Sequence, residues 1–275
     1  PGTAWKTITH AVNTVPAGAS FADQNIIQVA AGLYDATING ETFAITFNNA
    51  NISLIGAGLA TTTIDGEGTG TILDINATGI TVEGFNITNA TNGIESDDVG
   101  GFTILDNRFT NLSDGVHLDV DETDLTADYT VDDILINGNT FNISSDGVYL
   151  DIGLDYDDTN TGLTATIGDI EILNNTFNGG SDGIDFYGYI GDLTDATVTV
   201  GGVIITENTF EDQTSEAMDI DYYDAYCWYG TTTGTFGDLV INGNTITPVT
   251  TDAIHIDDYA YWYDFEDEAA LTVGN

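Results

Sequence analysis

One pattern recurs down the chain and restricts its fold more than any other feature: apolar-x-apolar-x-x-Asn-x-Phe, a short turn, then Asp-Gly-apolar-x-apolar. The asparagine falls at Asn107, Asn139, Asn175, Asn208 and Asn244, followed two residues later by Phe109, Phe141, Phe177, Phe210 and Ile246. Alternating apolar residues precede each asparagine, such as Ile134 and Ile136 or Ile170 and Ile172, and others follow the turn, such as Val148 and Leu150 or Ile184 and Phe186. A period of two marks strands with one buried face. The second strand opens at Asp114-Gly115, Asp146-Gly147, Asp182-Gly183, Glu216-Ala217 and Asp252-Ala253.

A plainer copy over 80–94 lies 22 residues upstream of the next, whereas the later copies are spaced by 32 to 36. Both spacings follow from a minimal coil that later gains an excursion at one fixed corner. The excursions are 120–132, 152–168, 187–201, 222–237 and 258–270, rich in Asp, Gly, Thr and Tyr. Alternating runs inside them, such as 196–200, are expected to add edge strands.

An asparagine at the same turn of every repeat can bond the asparagine of the next coil, forming a ladder along the axis. Antiparallel meanders give no reason for such a ladder. Helices are disfavoured by the Thr, Asn, Gly and β-branched content of each repeat. The expected fold is therefore all-β, a right-handed parallel β-helix. Near the start, Trp5, Ile8 and Val12 share one face at helical spacing, which predicts a helix over 4–14 capping the first coil. We read one domain, with the cap helix and first coils in 1–66 and the repeats in 67–275. Residues 271–275 look like the opening of another repeat, so the expectation is a fragment, or an end covered by a neighbouring copy in a homo-oligomer or polymer.

Charge narrows the partners. Asp and Glu number 45 against Lys6 and Arg108 alone, a formal net charge of −43. Such a surface repels nucleic acid and anionic membranes, because it can neutralise neither phosphates nor acidic headgroups. It calls instead for concentrated salt or bound cations. The single cysteine, Cys227, excludes an intrachain disulfide. Asn-x-Ser/Thr sequons stand at Asn51, Asn76, Asn86, Asn89, Asn111, Asn142 and Asn174; a chain this rich in Asn and Thr makes several by chance.

The opening of the chain, with Trp5-Lys-Thr-Ile-Thr-His-Ala-Val12, Ile27-Gln-Val-Ala-Ala-Gly-Leu-Tyr34, Ile52-Ser-Leu-Ile-Gly-Ala-Gly58 and Thr62-Thr-Ile-Asp-Gly66, resembles the N-terminal part of pectin-lyase-like proteins. The later Asn-x-Phe and Asp-Gly coils are similar to the parallel β-helix repeats of periplasmic copper-processing and carbohydrate-binding sugar-hydrolase proteins. The resemblance implies the β-helix fold and a range of functions, from lyases, hydrolases and esterases to adhesins and surface-layer proteins.

Lyases of the resembled kind use a Lys or Arg base, and two cationic side chains far apart in sequence speak against that chemistry. Hydrolysis needs a pair of carboxyl groups at defined separation, but adjacent Asp residues are too abundant to single one out. Stacking the repeats aligns two outward columns, Glu95, His117, Tyr149, Asp185, Asp219, His255 and Asp97, Asp119, Asp151, Tyr187, Asp221, Asp257. His117 and His255 are four coils apart, roughly 19 Å at about 4.8 Å per coil, so they are read as separate, exposed side chains. Neighbouring carboxylates one coil apart repel by about 0.9 kcal/mol in water and about 3.5 at an effective dielectric of 20. Ca²⁺ held by Asp119, Asp151, Asp185, Asp219, Asp221 and Asp257 would relieve this; no cofactor is otherwise required. Twelve of the thirteen tyrosines lie at or after Tyr129. Tyr222, Tyr223, Tyr226, Trp228, Tyr229, Tyr259, Tyr261, Trp262 and Tyr263 form clusters suited to sugar stacking or subunit contact. Two functions are expected: first, a non-catalytic extracellular or cell-surface structural protein; alternatively, a polysaccharide-binding or polysaccharide-modifying β-helix.

Overall fold

The computed structural model describes residues 4–97, 99–122, 127–154, 162–190, 195–225, 233–247, 251–257 and 271–273. Every strand pairing named below is parallel. A coil from the middle of the chain shows the plan. Ile134–Asn137 lies in a nine-stranded sheet; Thr140–Asn142 and Val148–Leu154 lie in a bent thirteen-stranded sheet; Thr164–Ile167 lies in a four-stranded sheet; Ile170–Leu173 then rejoins the first sheet one coil on. The chain is a parallel β-helix, with the right-handed winding expected for such crossovers. Among the described residues no helix is long and apolar enough to cross a membrane.

The excursions differ from expectation. Tyr129–Val131, Thr164–Ile167, Thr197–Val200 and Thr233–Phe236 do not add edge strands; they stack on one another as a complete wall of the coil. Val131, Ala165, Ile167, Val198 and Val200 bury their inward faces there.

Inside, side chains stack rung on rung. Phe109, Phe141, Phe177 and Phe210 lie face to face at 4.8 Å between ring centroids. The asparagine ladder is present and buried at Asn107, Asn139, Asn175 and Asn208. The Oδ1 of each rung from Asn139 to Asn244 accepts the backbone N–H of the preceding rung, at 2.8 to 2.9 Å, and its side-chain amide at 3.1 to 3.3 Å. Each Nδ2 also donates to a carbonyl of the coil before, such as Asn175 to Ile136 O at 2.9 Å. The ladder thus satisfies buried backbone groups that the turn would otherwise leave unpaired.

The glycines of the Asp-Gly turns make room for the rings. A Cβ on Gly147 would stand 2.3 Å from Phe177 Cδ1, and one on Gly183 2.4 Å from Phe210 Cδ1. At the next rung the ring is replaced by Ile246, and there the glycine is replaced by Ala217, fully buried.

The cap helix is shorter than expected, Ile8–Thr14. Thr7 is its N-cap, accepting from His10 N at 3.1 Å, and the buried Glu41 carboxylate accepts from Ile8 N at 2.7 Å and Thr9 N at 2.9 Å. These acceptors fix the helix start after Trp5, which is 48% exposed instead of facing the core; Ile8, Ala11 and Val12 form the buried face.

Candidate functional site

The outward face of the thirteen-stranded sheet gathers most of the ionisable side chains singled out by sequence. Backbone register pairs Glu95, His117, Tyr149, Asp185, Asp219 and His255 in one column, and Asp97, Asp119, Asp151, Tyr187, Asp221 and Asp257 in the next. Of Asp257 only the backbone is described, as it is of Tyr222 and Tyr223 in the strand Met218–Ala225. Tyr226, Trp228, Tyr229, Tyr259, Tyr261, Trp262 and Tyr263 lie outside the described residues. Among those described, no three His, Cys, Asp or Glu side chains are disposed to hold a metal ion.

A third column borders the face, and sequence reasoning passed over its chemistry. Asp114, Asp146, Asp182 and Glu216 had served only as turn markers. In the fold, Asp114 Oδ1 accepts from Asp146 N at 3.2 Å and Asp182 Oδ1 accepts from Glu216 N at 2.8 Å. The signal was there, an acid before each Gly or Ala of the turn at coil spacing, but its meaning depends on register between coils.

Two imidazoles punctuate the face. His117 stacks on Tyr149 at 4.6 Å and 17°, with its Nδ1 3.7 Å from Asp114 Oδ2. That distance is an ion-pair contact, beyond hydrogen-bond reach. The stacking leaves His117 only 24% exposed, which corrects the expectation of a solvated side chain. Among the described residues, its Nδ1 and the nearby Asp119 Oδ1 are buried without hydrogen-bond partners. The Asp114 contact raises the His117 pKa; for Asp114, burial opposes but His117, Ser145 and the Asp146 amide together lower it. At the far end, His255 Nδ1 is 3.0 Å from Asp219 Oδ1.

Between the imidazoles lies a carboxyl whose proton affinity is raised. Asp185 is partly buried, and burial followed by the charges of Asp146, Asp219, Asp182 and Asp221 pushes its pKa up to about 7. Asp182 is raised to about 6 by burial, with Asp146 and Glu216 adding to it. Asp146 is raised chiefly by burial. Tyr149 rises to about 12 through burial and the charges of Asp151 and Asp185. Arg108 stands on a different wall, its Nε 2.9 Å from Asn86 Oδ1.

No protein-family profile and no curated protein sequence matches the chain. Solved structures similar to it include a pectin methylesterase from carrot, 10% identical, covering 98% of this chain and 84% of that one, with a TM-score of 0.45. An alginate lyase from a Paenibacillus species is 14% identical, covering 91% of this chain and 96% of that one, with a TM-score of 0.39. The catalytic unit of a thermostable alpha-1,3-glucanase from Streptomyces thermodiastaticus is 13% identical, covering 100% of this chain and 68% of that one, with a TM-score of 0.40. At these values they assign no activity. By its own topology, parallel coils stacked around an asparagine ladder, the chain is a parallel β-helix.

Proposed function

We propose that the acidic face is a glycan-processing groove acting on neutral polysaccharide by acid-assisted hydrolysis. The observation that carries this reading is the alignment of Asp185 and Asp219 on adjacent coils of one exposed face, the first raised to about 7 and the second beside an imidazole. Glycoside hydrolysis needs one carboxylic acid and one carboxylate on either side of the scissile bond. Asp185 would donate its proton to the glycosidic oxygen as the bond to the anomeric carbon breaks. The Asp219 carboxylate, one coil of about 4.8 Å away, bonds to that carbon as the glycosidic bond breaks, and water then displaces it, giving up its proton to the Asp185 carboxylate, as closely spaced carboxyl pairs do. Tyr149 and Tyr187 border the pair on the same two columns. Uronate polymers would meet a row of carboxylates without a Lys or Arg facing it among the described residues, so neutral sugars fit better. Secretion or cell-surface display suits a macromolecular glycan substrate.

The test is reducing-end release from neutral glucans, xylans and mannans, with polygalacturonate and alginate as anionic controls. Asp185→Asn is expected to lower turnover by about 100-fold or more at unchanged circular dichroism. Absence of product from every neutral glycan would return the chain to the non-catalytic surface-protein reading, and full activity in Asp185→Asn would overturn the assignment of Asp185 as the acid.

A further inference from the structure

The outer face of the nine-stranded sheet holds a second groove, of about 730 Å³, within the range of ligand clefts. Its walls are unlike. Phe21 on one bank is 57% exposed; Leu105 and Leu135 belong to the sheet face; Asp132 and Glu171 supply carboxylates. Thr103 lines it too, 8% exposed although it alternates with the core residues Phe102 and Ile104.

The Phe21 bank is anchored. Asp23 N donates to Ser20 O at 2.9 Å, closing the turn that carries Phe21. Gly18 N donates to Ala50 O at 3.0 Å, and Gln24 Nε2 donates to Gly79 O at 2.8 Å and Thr81 Oγ1 at 3.0 Å. An exposed aromatic ring on an anchored turn, together with carboxylates and a hydroxyl over a floor of leucines, matches a molecule with one apolar face and many hydroxyl donors.

We infer that this groove binds a neutral oligosaccharide without acting on it, one pyranose ring laying its C–H face on Phe21 while its hydroxyls donate to Asp132 and Glu171 and pair with Thr103. No basic side chain lines the groove, so anionic ligands have no counter-charge there. The floor strands Phe102–Leu105 and Ile134–Asn137 are paired on both sides, which leaves no edge for an added peptide strand and favours sugar over peptide.

The groove lies on a different wall from Asp185, and its occupancy does not depend on turnover. The experiment uses the Asp185→Asn chain, which removes hydrolysis, titrated with linear neutral hexasaccharides of glucose, xylose and mannose and with a galacturonate hexamer. Calorimetry and amide chemical shifts are read together. We expect at least one neutral hexamer to bind and to shift the amides of Gly79, Gly101 and Thr103. Phe21→Ala should weaken that binding by 10-fold or more, Phe21→Trp should preserve it, and the galacturonate hexamer should leave those amides unmoved. Because Phe21 is exposed, its loss should not disturb folding, which circular dichroism checks. No shift of these amides with any neutral hexamer, undiminished binding in Phe21→Ala, or occupancy of the groove by a Lys- and Leu-rich control peptide alone would overturn the inference. Hydrolysis by the wild-type chain without groove binding defeats this inference only, and groove binding without hydrolysis defeats only the proposed activity.

Discussion

At Gly147 a missing methyl group decides whether two coils can meet. Its place is taken by Phe177 of the following coil, and the same pairing holds at Gly183 with Phe210. Gly147→Ala should therefore cost about 1–3 kcal/mol of stability through overpacking, and Phe177→Leu added to it should recover part of the loss, as a double-mutant cycle by urea denaturation would show. The natural exchange to Ala217 opposite Ile246 motivates this expectation. The Asp-Gly pairs were legible as turns, but their reason was not, since the ring that excludes a side chain lies 26 to 30 residues further on. Charge follows a similar rule at Asp185. Asp146 is the largest of the carboxylate charges raising it, after burial. Asp146→Asn should thus move the alkaline limb of any hydrolytic pH profile to lower pH, while Asp185→Asn abolishes the profile.

Among the elements, the asparagine ladder was read correctly from spacing because one residue type at one turn has few other uses. Asn175 takes part in four hydrogen bonds through its side chain: Oδ1 accepts twice from Asn139, and Nδ2 donates to Ile136 O and Asn208 Oδ1. Asn175→Ala should cost about 3 kcal/mol or more, since buried polar groups left unpaired cost about 1–3 kcal/mol each; the shift in urea midpoint measures it. The short helix was legible by its apolar face but not by its start, because Glu41 closes the first turn from 33 residues away. The four-stranded wall was legible as alternation without its partners, which pair across whole excursions. The two acidic columns came from the same repeat alignment as the ladder and fell where expected. Which carboxyl has its pKa raised most was not legible, because burial beside a bent sheet is a property of the stack and not of any window of sequence.

For the whole molecule, a net charge of −43 makes self-repulsion the dominant variable in solution. About 1 M NaCl, where the Debye length is about 3 Å, should raise the melting temperature well above its value in dilute buffer. CaCl₂ at equal ionic strength separates screening from chelation; screening alone predicts superimposable melting curves. The pH dependence has a definite sign. Asp185 at about 7 and Asp182 at about 6 bind protons more tightly folded than unfolded. Their contribution favours the folded state in acid and is lost as pH rises from about 4 through those values. His117, also raised, loses its contribution in the same direction, and Asp114, lowered, works against folding only in stronger acid. Melting should therefore occur at higher temperature near about pH 5 than near about pH 8, and added salt should narrow the gap. The glycine-to-ring contact carries one more implication, for chain length. Every rung from Phe141 to Phe210 offers the next the same shape, so an in-frame excision of residues 139–174 would bring Gly115 against Phe177 and Asn107 against Asn175, rebuilding the lost junction from the parts that remain. A scaffold of this kind can be shortened by a full turn and still close on itself.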